Sequence, residues 1–190
     1  MELPSRKVIS LAAIVVLVAV GGWTYFSHLV PAVHQDHDHG LENIAGGGFL
    51  RVERVEGGTR NLVGRPGRVL VLHWFELGSP AAAGELPSLV DYSMQVANDP
   101  GIEIALIAMG KKRAEVLAWA RAHGVPTANL YVDPETKTAA LIGVRRNPET
   151  LIYDPEGHLA HQARGPMNWS DPQVHAAVEG YKHGTGEHQH

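Results

Sequence analysis

The densest cluster of chemistry-bearing side chains is His34-Gln35-Asp36-His37-Asp38-His39, with three imidazoles and two carboxylates inside six residues. Nitrogen and oxygen donors of this kind suit Zn²⁺ or Cu²⁺, and the candidate ligands are His34, Asp36, His37, Asp38 and His39. The segment lacks the fixed helical spacing of a preformed site, so ordering it around an ion would cost conformational entropy. It therefore reads equally as a solvated hydrophilic spacer. His183, His188 and His190 could add ligands from the far end of the chain. Apart from this metal site, no cofactor is expected.

The chain contains no cysteine. That excludes disulfide staples, thiolate metal sites, iron–sulfur clusters and haem attached through Cys-x-x-Cys-His. It also removes thiol–disulfide exchange by this chain's own residues, because exchange requires a thiolate that attacks sulfur. Ser79 is the remaining candidate nucleophile, six residues after His73. Serine catalysis needs a base within hydrogen-bond reach and a third group to orient it. A blander reading competes at both residues. Ser79-Pro80 is an N-cap and first-turn pair that simply starts a helix. His73, inside an apolar run, reads as a buried histidine with its hydrogen bonds met. The formal charge is −4, which provides no footprint for a phosphate backbone, so nucleic acid is not an expected partner.

Positioning these residues falls to a chain of 190 residues, enough for one well-buried domain plus an anchor. Residues 49–182 carry the folded pattern. Phe49 to Val55 alternates apolar and polar, and Glu56 to Thr59 supplies turn chemistry. Arg68 to Phe75 and Ile102 to Ala108 are nearly continuous apolar runs, as for central strands covered on both faces. Gly84 to Ala97 is amphipathic at helical spacing through Leu86, Leu89, Val90 and Met94. Lys111 to His123 is a second helix, stopped by Gly124. A short strand at Leu130 to Val132 and a brief helix over Pro134 to Ile142 follow. Thr150 to Tyr153 and His158 to Ala163 flank the turn Asp154-Pro155-Glu156-Gly157, and a last helix runs from Pro172 to Tyr181. Met94, Met109 and Met167 are expected as core or near-core packing. Strand–helix alternation closed by a hairpin and a helix predicts an α/β fold, a central mixed sheet with helices on both faces.

The rest of the chain reads as membrane attachment. Residues 1–7 are a cytoplasmic N-terminus with Arg6 and Lys7. Residues 8–26 are uncharged and largely apolar, and as a helix would extend about 28 Å, enough to span a bilayer. No Lys or Arg follows until Arg51, which keeps the N-terminus inside, and Trp23 and Tyr25 fall at the far interface. A cleaved signal peptide would have a shorter apolar region and a small-x-small cleavage site. Residues 27–48 are a His/Gly-rich tether and residues 183–190 a His-rich tail. The expected partner list therefore includes the membrane, through a single span of the inner membrane, with the domain in the periplasm or another extracytoplasmic space.

Three motifs carry a resemblance. His73-Trp74-Phe75-Glu76-Leu77-Gly78-Ser79-Pro80-Ala81-Ala82 runs into Glu85-Leu86-Pro87 without a gap against Phe-Trp-Ala-x-Trp-Cys-x-x-Cys followed by Glu-Leu-Pro. Gly143-Val144-Arg145-Arg146-Asn147-Pro148-Glu149-Thr150 is similar to Gly-Val-x-x-x-Pro-Thr-Thr, and Gly165-Pro166 follows the hairpin. Over about residues 49–181 the chain resembles the thioredoxin-like superfamily, and specifically its membrane-anchored TlpA/ResA-like branch. The resemblance implies a thioredoxin-like sheet and a degenerate redox motif at Ser79, Pro80, Ala81 and Ala82. It places Ser79 at the nucleophilic cysteine and Ala82 at the resolving one. It further implies a cis-proline at Pro148, in a loop with Asn147, Arg145 and Arg146 above His73. The helix N-terminus and the arginine pair there suit a vestigial pocket for a carboxylate or extended peptide, and the arginines read alternatively as a solvated loop. Function belongs to the site rather than the scaffold. The expectation is a non-enzymatic accessory or structural subunit docking on a membrane or periplasmic protein. The alternatives are metal binding or delivery by the tether, and a component of thiol–disulfide or cytochrome c maturation pathways that lacks its own thiols.

Overall fold

In the computed structural model, residues 50–63 and 66–183 are described. The expected span, the tether with its His34–His39 cluster, and all of the tail beyond His183 lie outside the described residues. Seven strands form one sheet: β1 (Arg51–Arg54), β2 (Thr59–Asn61), β3 (Val69–Glu76), β4 (Ile102–Met109), β5 (Leu130–Asp133), β6 (Glu149–Tyr153) and β7 (Leu159–Arg164). Their order is β2-β1-β5-β4-β3-β6-β7. β3, β4 and β5 are parallel, while β1 pairs β5, and β6 pairs β3, antiparallel.

Strands β3 and β4 are central because their sequences leave no polar face to show to water; Val69 through Phe75 are all buried. Side chains alternate across the pleat. Val69, Val71 and Phe75 join Ile102, Ile104 and Leu106 in one core, and Leu70, Leu72 and Trp74 join Ala105 and Ile107 in the other. The first core is covered by α1 (Pro80–Gln95), α2 (Arg113–His123) and α4 (Pro172–Gly180), through Leu86 and Leu89, Val116 and Ala120, and Val178. The second is closed by the short α3 (Lys137–Leu141) through Ala139, together with Leu50, Leu62 and Val63.

Local signals set most boundaries. Gly124 ends α2 in the left-handed region, at φ 66°. Asp171 caps α4 by accepting from the Gln173 amide. Three elements differ from the sequence pattern. Helix α1 starts at Pro80, a turn before Gly84, because Ser79 and Pro80 supply its cap and first position. The 134–142 helix is only Lys137–Leu141. Strand β2 has three residues, Thr-Arg-Asn, too short and polar to show alternation, and forms only by pairing with β1. Met109 is buried as expected, but Met94 is half exposed, because it sits at the edge of the α1 stripe.

Candidate functional site

Strand β3 delivers Glu76, Leu77 and Gly78 to the start of α1. Gly78 takes a positive φ of 85°, which lets the chain turn from strand into helix without a side chain in the way. Ser79 then caps α1 with its Oγ accepting from the Ala82 amide at 3.5 Å, a long bond, and Pro80 occupies the first turn. Ala81 is half buried, and Ala82 is buried within the first core. The two positions that carry sulfur in the resembled motif are thus a helix cap and a packed methyl. Among the described hydrogen bonds, Ser79 Oγ meets only the α1 backbone, with no base beside it.

Across from this turn lies the loop before β6. The Asn147–Pro148 peptide bond is cis. Asn147 clamps the loop to the end of β3: its Oδ1 accepts from the Glu76 amide at 2.9 Å and its Nδ2 donates to Glu76 Oε2 at 3.1 Å. Glu76 is thereby the residue at which the turn into α1 and the proline loop meet. Arg145 and Arg146 are exposed, but their backbone amides point inward, each donating to Glu149 Oε2 at 2.8 Å.

Glu149 was not singled out by the sequence. It is fully buried, and its second oxygen accepts from Gln162 Nε2 at 2.6 Å and lies 3.6 Å from Arg164 Nε. A signal was available: Glu149 stands where the Gly-Val-x-x-x-Pro-Thr-Thr signature has threonine. A carboxylate there reaches back to gather two loop amides on one oxygen and keeps the other for Gln162.

Beneath the turn, His73 on β3 is wholly buried, stacked at 6.0 Å on Phe75, with Nδ1 2.9 Å from Thr150 Oγ1. Its Nε2 has no hydrogen-bond partner among the described residues, so the expectation of a fully satisfied histidine holds for one ring nitrogen only. Burial drives its pKa down to about 3, which keeps the imidazole neutral at physiological pH. Glu85 on α1 approaches it, with Oε1 3.9 Å from His73 Nδ1. That same oxygen accepts from the Met167 amide at 3.0 Å and from Trp169 Nε1 at 2.7 Å, tying α1 to the segment after Gly165-Pro166. Burial pushes the Glu85 carboxyl upward, against the lowering effect of these two bonds. Glu85 was read only as part of Glu-Leu-Pro; its place among Ala82, Leu86 and Leu89 on the buried stripe was the missed sign.

Among the described residues, no group of three or more His, Cys, Asp or Glu side chains is placed to hold a metal ion. No described helix is long and apolar enough to cross a membrane.

No family model matches the chain. It is 33% identical over 95 residues to the thiol:disulfide interchange protein DsbE of Allochromatium vinosum, a match covering 48% of this chain and 51% of that one. The chain thus spans about half the length of the curated relative it matches. Among solved structures it is similar to a thiol:disulfide interchange protein of the thioredoxin family from Chlorobium tepidum, with TM-score 0.60, 15% identity, and 70% and 92% of the two chains covered. It is also similar to StoA from Bacillus subtilis, with TM-score 0.59, 14% identity, and 70% and 98% covered. Residues 50–183 therefore have a thioredoxin-like fold. Thiol:disulfide interchange proteins share that fold, and this chain has it without cysteine.

Proposed function

We propose that the chain is a redox-inactive, membrane-anchored, extracytoplasmic thioredoxin-like subunit that docks on another membrane or periplasmic protein. One observation carries this reading. The scaffold around the motif is held in place by Asn147, Glu149 and Glu85, while its two reactive positions are Ser79 and Ala82. A serine hydroxyl without a base is scarcely ionised at neutral pH and has no redox couple comparable to a dithiol. What such a site retains is shape. Purification of the full chain from its native membrane in mild detergent tests the proposal. Recovery in a stoichiometric complex with a membrane or periplasmic protein is expected; recovery only as a free monomer at native expression levels would overturn it.

A second reading rests on the His34–His39 cluster, which would capture Zn²⁺ or Cu²⁺ beside the membrane. Calorimetry on the full chain, with His34, His37 and His39 replaced by alanine, decides it. Unchanged binding in the triple variant removes the tether as a metal site.

A further inference from the structure

Alongside the degenerate motif, a groove of about 370 Å³ opens between α1 and α2. Its apolar lining includes Leu77, Ala82, Leu86, Val90, Met94 and Trp119. Helix α1 buries the inner sides of Leu86 and Val90 in the core yet leaves Met94 half exposed at the rim. A flexible, polarisable methionine in that position suits contact with another protein.

The groove's far wall is preformed. Trp119 is flanked by Phe75 at 5.9 Å and stacked on His123 at 5.2 Å, and His123 Nδ1 lies 2.8 Å from the Trp119 carbonyl oxygen. An aromatic wall already held in place loses little side-chain freedom when something packs against it.

Beside the neutral-or-cationic ring of His123, the groove's carboxylates lie at its α1 side. Glu76 and Asp91 contribute carboxylates to the lining, which contains no lysine or arginine. The α1 wall adds an acceptor. Pro87 has no N–H, so it cannot make the helical bond to the carbonyl of Ala83, and both residues line the groove. Glu76 already spends Oε2 on Asn147, which leaves Asp91, with the Ala83 carbonyl beside it, as the main acceptor for donors from the occupant.

We infer that this groove docks a segment of a partner protein that inserts one bulky apolar side chain and sets a lysine or arginine beside it, against Asp91. The inference rests on the docking role given above and names the surface and the partner's chemistry. Ala83 and Asp91 are both exposed, so substitution at either leaves the core untouched.

The test places a photo-crosslinking amino acid at position 83 of the full chain in its native membrane and maps the attached peptide by mass spectrometry. A single protein segment is expected, carrying a bulky apolar residue next to Lys or Arg. Its yield should fall at least about threefold with Asp91→Lys, as for loss of a rim charge pair, while the melting temperature stays unchanged. Crosslinks only to lipid, only to a second copy of this chain, only to an acidic segment, or none at all would overturn the inference, as would a yield indifferent to Asp91→Lys. If a partner still co-purifies from the membrane while position 83 captures nothing, the groove assignment fails and the docking role stands. If nothing co-purifies, the docking role itself fails.

Discussion

Two buried glutamates support opposite sides of the site, and they are satisfied to different degrees. Glu149, on the loop side, has both oxygens engaged: two amides on one, Gln162 and nearby Arg164 on the other. Glu85, on the helix side, has two donors on one oxygen, while the other has no partner among the described residues. Beside it, His73 also has one unmatched ring nitrogen. A carboxylate bonded at both oxygens fixes a loop. One bonded at a single oxygen, next to a neutral imidazole, is held by a weaker balance that pH can tip. The comparison assigns rigidity to the proline loop and pH sensitivity to the layer beneath α1.

The largest expected effect tests the helix side. Because burial holds His73 at about 3, against 6.5 for a free imidazole, the unfolded chain takes up a proton between these values that the folded chain refuses. The stability due to neutral His73 is complete above pH 6.5 and lost as pH falls toward 3, by up to about 5 kcal/mol at roughly 1.4 kcal/mol per unit. Urea unfolding across this range should show the loss in the wild type and a much flatter acid limb in His73→Phe. Parallel limbs in the two proteins would break the assignment.

Next in size is Glu149→Ala, which strands two inward amides and Gln162 and should cost about 3 kcal/mol at neutral pH. Amide hydrogen exchange should speed up at Arg145 and Arg146 before anywhere on α1. If protection is lost uniformly, the loop is not held by Glu149 in particular.

Glu85→Gln keeps an acceptor for Met167 and Trp169, and should change stability by less than about 1 kcal/mol near pH 5. The sign of its pH dependence is the sharper test. A carboxyl raised on folding contributes stability that is present below 4.5 and lost as pH rises through the folded value. The variant lacks that loss, so it should gain on the wild type as pH rises toward 8. A gap that stays constant with pH would contradict a raised Glu85 carboxyl. The smallest effect is Ser79→Ala, at below about 1 kcal/mol, since the cap bond it removes is long.

The sequence made the scaffold legible where burial left one pattern possible. The nearly continuous apolar runs of β3 and β4, Gly124 after α2, and the Asp154–Gly157 turn each carry their own physical signal. Strand β2 carries none, because three polar residues become a strand only when β1 is already beside them. At the site, Ser79 and Pro80 were readable as a helix start from residue type alone. Glu149 showed only as a departure from the motif's threonine, since Gln162, which completes its shell, is 13 residues away; Glu85 did not show at all, with Trp169 84 residues away. A buried charge is legible only through the contacts that neutralise it, and those are made by the fold.

The central proposal is that the protein keeps a thioredoxin-like scaffold but, without cysteine, cannot carry out thiol–disulfide exchange. Dithiothreitol-coupled reduction of insulin, measured on the purified wild type and on the Ser79→Cys/Ala82→Cys double variant, tests both halves at once. No rate above background is predicted for the wild type, and a clear rate for the double variant. Reduction by the wild type, or a correctly folded double variant that remains inert, would contradict the account.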